Sequence, residues 1–90
     1  MALADWTPER IARFEAALAA LAKVNGIAQM YAAPILHHTD TDRKRLQLED
    51  MHSALRFRSV IQGWDGQEVP ETARVRLFMQ EWYQREGMHW

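Results

Sequence analysis

The sequence contains no cysteine among its 90 residues. This absence excludes disulfide bonds, zinc–thiolate sites and thiol nucleophiles, and it is compatible with a reducing cytoplasm. An excess of one charge is also missing, because 11 basic residues stand against 12 acidic residues and the formal net charge is −1. A chain with this balance has no overall field that would draw it to nucleic acid or to an anionic membrane.

Long apolar runs are absent as well. The least charged stretch, residues 16–36, is interrupted by Lys23, Asn25 and Pro34, so it is too polar and too broken for a membrane-spanning helix. The first five residues carry no basic side chain and end in Asp5, so we expect no signal peptide. These features together predict a cytoplasmic protein that does not enter a membrane.

No segment alternates apolar and polar residues with the period of a strand, whereas apolar residues recur at steps of three and four. We therefore predict an all-α fold, a small antiparallel bundle of three helices, or of four if residues 27–33 form a helical turn of their own. Residues 1–90 are interpreted as a single helical domain, in which residues 87–90 form a short C-terminal tail.

The first predicted helix begins at Thr7-Pro8, where threonine can cap free backbone N–H groups and proline suits the first helical position. Its apolar stripe consists of Ile11, Phe14, Leu18 and Leu21. Trp6 lies just outside the cap, at the spacing of a hydrophobic staple. The sequence leaves two alternatives for the C-terminal end of this helix. Either the helix stops at Asn25-Gly26, or it continues, bent, until Pro34 forces Ala33 out of the helical region.

The second predicted helix begins in the cap-rich segment 38–42 and ends near Gly63. It has two apolar faces on nearly opposite sides, since side chains follow each other at about 100° per residue. One face consists of Leu46, Phe57, Val60, Ile61 and Trp64, and the other of Leu48, Met51 and Leu55. A surface helix needs one apolar stripe, so the second stripe must pack on another helix or face another molecule.

The third predicted helix begins at Pro70 and ends at Gly87. Its buried stripe is predicted to consist of Val75, Phe78, Met79 and Trp82, with Tyr83 at the margin. Leu77 lies alone on the far side. Glu81 and Arg85 are spaced four residues apart, which favours a surface ion pair.

Histidines and aspartates form a small cluster between the first and second predicted helices. The cluster contains His37, His38, Asp40 and Asp42, and His52 follows on the second helix. Imidazole and carboxylate are ligands for divalent metals, but adjacent histidines tend to point apart and no two histidines have the spacing of one helix face. We interpret the aspartates as helix caps and predict no metal and no cofactor.

Basic residues are concentrated on the second helix, where residues 43–58 carry a local charge of +3. They are Arg43, Lys44, Arg45, Arg56 and Arg58. Arginine suits phosphate recognition because its planar fork binds oxygens in pairs. The helical wheel scatters these side chains, however, and no helix-turn-helix pattern is present. Nucleic-acid binding or a regulatory role through these residues is therefore the alternative hypothesis.

Catalysis has little support in the residues. No glycine-rich phosphate loop is present, and no nucleophile–base pair can be argued from spacing, since Ser53 and Ser59 are the only serines. We expect that the protein is not an enzyme.

Large apolar side chains exceed what three short helices need, with four Trp, three Phe, two Tyr and five Met. Trp, Tyr, Met and Arg are enriched at the centres of protein interfaces. The sequence therefore predicts a protein-interaction module that binds a partner protein or forms a homodimer. By analogy of size and class, such proteins serve as adaptors or inhibitors, including phage-encoded inhibitors of bacterial defence systems. The predicted contact residues are Leu48, Met51, Leu55, Arg56, Arg58, Met88 and Trp90.

Overall fold

The structure is a computed structural model that describes residues 5–57 and 66–90 of the chain. Within these two ranges the protein is all-helical and compact, which confirms the predicted fold class. The four described helices are α1 (Pro8–Ala22), α2 (Gly26–His37), α3 (Thr41–Arg56) and α4 (Pro70–Arg85).

Helix α1 begins as predicted. The Thr7 side-chain oxygen accepts a hydrogen bond from the Arg10 backbone N–H at 3.2 Å, which satisfies one of the free donors of the first turn. Ile11, Phe14 and Leu18 are buried and Leu21 is half-buried. Trp6 is also buried, and its ring contacts Phe14 edge-on at 5.3 Å between centroids.

The chain changes helix next to the first of the two predicted ends, Asn25-Gly26, since α1 stops at Ala22 and α2 begins at Gly26. Asn25 caps α2, because its side-chain oxygen accepts hydrogen bonds from the N–H groups of Ile27 and Ala28. Pro34 lies inside α2, which continues to His37, so the second alternative, in which Pro34 ends the helix at Ala33, is wrong. The side chains of Ala32 and Ile35 are buried on either side of this position. Their burial offsets the backbone hydrogen bond that proline cannot donate.

Helix α3 is shorter than predicted. The Asp40 carboxylate caps its first turn by accepting from the Asp42 N–H at 2.9 Å. The helix ends at Arg56, where Phe57 takes an extended backbone conformation. Leu55 is the last buried residue of α3. The predicted end near Gly63 lies outside the described residues.

Helix α4 begins at Pro70 and is terminated by Gly87, as predicted. Gly87 has a φ of 69°, a left-handed conformation that favours glycine. The following N–H, that of Met88, donates to the Tyr83 carbonyl oxygen at 2.9 Å and closes the last turn. Val75, Met79 and Trp82 are buried as predicted. Tyr83 was placed at the margin by its spacing, but it is fully buried, so that expectation is wrong.

Contacts between the helix ends place α1 beside α4. The Arg10 guanidinium, in the first turn of α1, binds the Glu86 carboxylate just beyond α4 at 2.9 Å. The Asn25 side-chain amide donates to the Glu71 carbonyl oxygen in the first turn of α4 at 3.1 Å. Between these ends, large aromatic rings fill the space, and Phe14 stacks on Phe78 with centroids 5.4 Å apart.

Candidate functional site

The second apolar face of α3 belongs to the core. Leu48, Met51 and Leu55 are 0%, 1% and 0% exposed, because α2 and α4 both pack against α3. Our expectation that this face is open to a partner protein is therefore wrong. The opposite face is the exposed one, since Leu46 is 53% and Phe57 is 63% exposed. The other members of that face, Val60, Ile61 and Trp64, lie outside the described residues.

The C-terminal tail folds back on α3 and α4. Met88 is half-buried and packs against the core. The Trp90 ring contacts His52 and Tyr83 edge-on, with centroid separations of 4.9 and 5.3 Å. The backbone oxygen of Trp90 lies 2.6 Å from Nε2 of His52. The two tail residues predicted to contact a partner thus take part in packing within the chain.

His52 is the most deeply buried histidine described, at 1% exposure, and it stacks on Tyr83 with ring centroids 4.6 Å apart. Because the Trp90 backbone oxygen can only accept, Nε2 carries the proton of the neutral ring. Within the described part of the chain, Nδ1 has no hydrogen-bond partner. Burial lowers the pKa of the His52 imidazole and raises the pKa of the Tyr83 hydroxyl.

The His52 and Tyr83 rings are each covered by a tryptophan ring. Trp6 contacts Tyr83 at 5.8 Å between centroids, and Trp90 covers His52 as described above. The arrangement resembles an aromatic core more than an open pocket, so it does not form the candidate site.

Two of the five residues in the predicted basic segment, Lys44 and Arg45, make internal contacts. The Lys44 ammonium lies 2.8 Å from both carboxylate oxygens of Glu15. The Arg45 guanidinium donates to the Trp6 carbonyl oxygen at 2.7 Å and pairs with Asp42 at 2.8 Å. These two cations therefore attach α3 to α1 and to its own first turn.

The remaining cations of α3 do not share a face. Arg43 and Arg56 are both exposed, but they lie about 20 Å apart along the helix and about 140° apart around it. Arg56 lines a shallow recess of about 180 Å³ with Ser53 and Phe57. Arg58 lies outside the described residues.

The histidines and aspartates considered as metal ligands are separated. The His37 and His38 rings contact each other at 6.0 Å between centroids, while His52 lies in the core. Asp40 caps α3 and Asp42 pairs with Arg45. Over residues 5–57 and 66–90, no three side chains of the metal-binding types converge.

A groove lies where the outer side of α4 meets the end of α1. We call its apolar lining residues, Leu21, Leu77 and Phe78, the floor, and its charged lining residues, Arg74, Glu81 and Arg85, the rim. The groove encloses about 210 Å³. Phe78 is held in place by its stacking on Phe14 in the core, whereas Leu77 is 42% exposed in the groove.

The charged side chains of the rim are free of ion pairs with any described residue. The predicted Glu81–Arg85 pair does not form. Instead, the Arg85 guanidinium lies over the Trp82 ring, 5.4 Å from its centroid, a distance typical of a cation–π contact. Arg74 has neither an acidic partner nor such a ring contact within the described structure.

Sequence reasoning identified Leu77 as an isolated apolar residue but missed the groove. The available signal was an exposed leucine flanked on its own helix face by Arg74 and Arg85. Leu21 was assigned wholly to the core stripe of α1, and its position opposite α4 depends on how the two helices are placed.

The chain matches no protein-family model, no curated protein and no solved structure at a significant level. Similarity therefore carries no argument about its activity. Among the described helices, none combines the length and the hydropathy needed to cross a bilayer. The groove between α1 and α4 is the site with the strongest structural support.

Proposed function

We propose that this protein is a non-enzymatic interaction module, a small antiparallel helical bundle that binds a partner protein in the groove between α1 and α4. One observation carries the proposal: an apolar floor of Leu21, Leu77 and Phe78 lies beside two arginines that have no ion-pair partner among the described residues. Phenylalanine and arginine are both enriched at protein interfaces relative to the rest of the surface.

Arg74 and Arg85 differ from the cations that hold the fold together, and they differ from the other unpaired cations of the described residues, Lys23, Arg43 and Arg56, in bordering the groove. Arg10 and Arg13 both bind Glu86, and Lys44 binds Glu15. These pairs attach helices to each other. Arg74 and Arg85 make no such ion pair within the described residues, so their charges are available to a molecule outside the chain.

The size of the groove favours a protein partner over a substrate or cofactor. Pockets for small molecules usually enclose about 300–1,000 Å³ and bury most of the ligand. The groove encloses about 210 Å³, and its polar groups are two guanidinium groups and one carboxylate. It suits a side chain presented by another protein.

The proposal is tested by capture from a lysate of cells that express the protein, with two matched variants. Leu77→Asp places a charge on the groove floor, and Leu46→Asp places the same charge on the exposed face of α3. Both leucines are exposed, so both variants should remain helical by circular dichroism. We expect Leu77→Asp to lose a captured protein that the wild-type chain and Leu46→Asp retain. Equal capture by both variants would contradict the proposal.

Self-association is examined in the same set by sedimentation. A dimer that Leu77→Asp dissociates and Leu46→Asp preserves would identify a second copy of the chain as the partner. A dimer unaffected by Leu77→Asp would place the interface elsewhere and contradict the groove assignment.

A further inference from the structure

We infer that the groove recognises an acidic segment of a partner protein that inserts one bulky apolar side chain between carboxylates bound by Arg74 and Arg85. This inference rests on the proposed function and states the chemistry of the partner. It follows from the volume of the groove, the spacing of its cations and the one carboxylate on its rim.

The volume of the groove limits what its floor can hold. An apolar cavity of about 150 Å³ accommodates a benzene molecule, and this groove encloses about 210 Å³. One phenyl, indole or leucine side chain would therefore fill it. The floor offers Phe78 and Leu77 from α4 and Leu21 from α1, so the inserted group would be apolar where it meets the floor, while polar groups make up the larger part of the exposed groove surface around it.

The two arginines are placed at the two ends of this floor. Arg74 and Arg85 are eleven positions apart in α4, which separates their backbones by about 16 Å along the helix and by about 20° around it. Leu77 and Phe78 lie between them in sequence and on the same side of α4. An inserted side chain on this floor would thus have one guanidinium group on each side.

Guanidinium groups bind carboxylates with two parallel hydrogen bonds, a geometry that lysine cannot reproduce. The Arg85 guanidinium already rests on the Trp82 ring, 5.4 Å from the centroid. This contact restricts the arginine without satisfying its hydrogen-bond donors. A carboxylate of the partner would therefore meet a partly ordered group and require less ordering on binding.

Glu81 makes the pattern more specific. It lies on the rim between the two arginines and disfavours a third acid at the centre of the bound segment. The complementary segment consequently has acids at its two ends and an apolar or basic centre, and a continuous acidic run is a poorer match.

The inference is tested with a random dodecapeptide library displayed on phage and selected on the wild-type protein, on Leu77→Asp and on the double variant Arg74→Glu/Arg85→Glu. The wild-type protein should enrich peptides in which one aromatic or large aliphatic residue stands between Asp or Glu residues. The double variant should enrich the same apolar residue between Lys or Arg residues. Arg43→Glu, an exposed change on α3, is the control and should enrich the wild-type pattern.

The outcomes separate this inference from the proposed function. If the wild-type protein enriches an apolar pattern that Leu77→Asp abolishes, but without flanking acids, the groove binds proteins and the acidic-segment inference is overturned. If Leu77→Asp enriches the same peptides as the wild-type protein, or if the wild-type protein enriches no pattern, both the acidic-segment inference and the proposed function are overturned.

A synthetic peptide of the enriched sequence gives the size of the effect. Arg74→Gln and Arg85→Gln should each weaken its binding by about tenfold, which corresponds to the loss of one charge-assisted hydrogen bond. Arg43→Gln should leave the binding unchanged. Equal affinity in all three variants would overturn the assignment of the two arginines.

Discussion

His52 shows how a single residue couples the core to pH. Its ring lies between Tyr83 and Trp90, and Nε2 donates to the Trp90 backbone oxygen. Burial lowers the pKa of this imidazole below its ordinary value of 6.5. The unfolded chain therefore takes up this proton at a higher pH than the folded protein does. As a result, the contribution of His52 to stability is fully present above pH 6.5 and is lost as the pH falls through the folded-state pKa.

The first prediction follows from this sign. The melting temperature of the wild-type protein should fall between pH 7 and about pH 5, because acid favours the unfolded state that binds the proton. His52→Leu should flatten this dependence, as measured by thermal unfolding followed by circular dichroism. His37→Gln, which changes an exposed histidine, should preserve it. Identical slopes for the wild-type protein and His52→Leu would show that another group titrates.

The second prediction concerns paired leucines on α3. Leu55 is fully buried and Leu46 is 53% exposed. Leu55→Ala should reduce the free energy of unfolding by about 2–5 kcal/mol, since it removes buried methyl groups and leaves a cavity. Leu46→Ala should change it by less than about 0.5 kcal/mol. Urea denaturation measures both, and a larger loss for Leu46→Ala would mean that the faces of α3 are assigned the wrong way round.

At the scale of helices, the start of α2 is connected to the start of α4. The Glu71 carboxylate accepts from the Gly26 N–H at 3.1 Å, while the Glu71 carbonyl oxygen accepts from the Asn25 side chain. A negative charge at the first N–H groups of a helix is stabilising. Asn25 therefore caps α2 and joins it to α4 with one side chain.

The third prediction compares two helix caps. Asn25→Ala should reduce the free energy of unfolding by about 2 kcal/mol, because it removes a buried cap together with the bond to Glu71. Thr7→Ala, at the exposed cap of α1, should reduce it by about 1 kcal/mol. Chemical denaturation of the two variants measures both losses of unfolding free energy and shows which is larger. If Asn25→Ala reduces the free energy of unfolding by no more than Thr7→Ala does, the connection between Asn25 and Glu71 is contradicted.

The helix boundaries show what could be predicted from residues near in sequence. The start at Thr7-Pro8 and the end at Gly87 depend on local capping, so the sequence pattern located them. The alternative in which Pro34 ends the first helix was wrong because burial of Ile35 and Ala32, a tertiary effect, outweighs the missing hydrogen bond. Capping and proline preferences depend on residues near in sequence, so they carry no information about that burial.

The faces of α3 and the groove show the same limit for packing. Periodicity correctly grouped Leu48, Met51 and Leu55 on one face, but it could not tell which face the other helices cover. For the groove, Leu77 was found on the outer side of α4, while the opposing Leu21 depends on the placement of α1. Residues that meet across two helices leave no spacing signal along either one.

At the scale of the whole molecule, Glu86 joins the end of α4 to the start of α1. Its carboxylate lies 2.9 Å from the Arg10 guanidinium and 2.6 Å from that of Arg13. Hydrogen bonds from Arg10, and then from Arg13, lower the pKa of Glu86 below its ordinary value of 4.5. Its contribution to stability is therefore present above pH 4.5 and is lost as the pH falls through the folded-state pKa.

The fourth prediction uses this lower pH range. Glu86→Gln should reduce stability modestly at neutral pH, because the pair is partly exposed to solvent. The variant should also lose less of its remaining stability than the wild-type protein between pH 4.5 and about pH 3. Thermal unfolding across that range is the measurement, with Glu9→Gln, an exposed glutamate of α1, as the control. If the melting temperatures of the wild-type protein and of Glu86→Gln fall equally steeply below pH 4.5, the assignment is contradicted.

The attachment of both described ends to α3 affects how the protein opens. Arg45 holds the Trp6 carbonyl oxygen, and His52 holds the Trp90 backbone oxygen. Fraying of either end must therefore break a contact with the middle of the chain, so the ends should not loosen independently. Amide protons in the last turn of α4 should exchange with solvent about as slowly as those at the centre of α3. Proteolysis within the described helices should then require global unfolding.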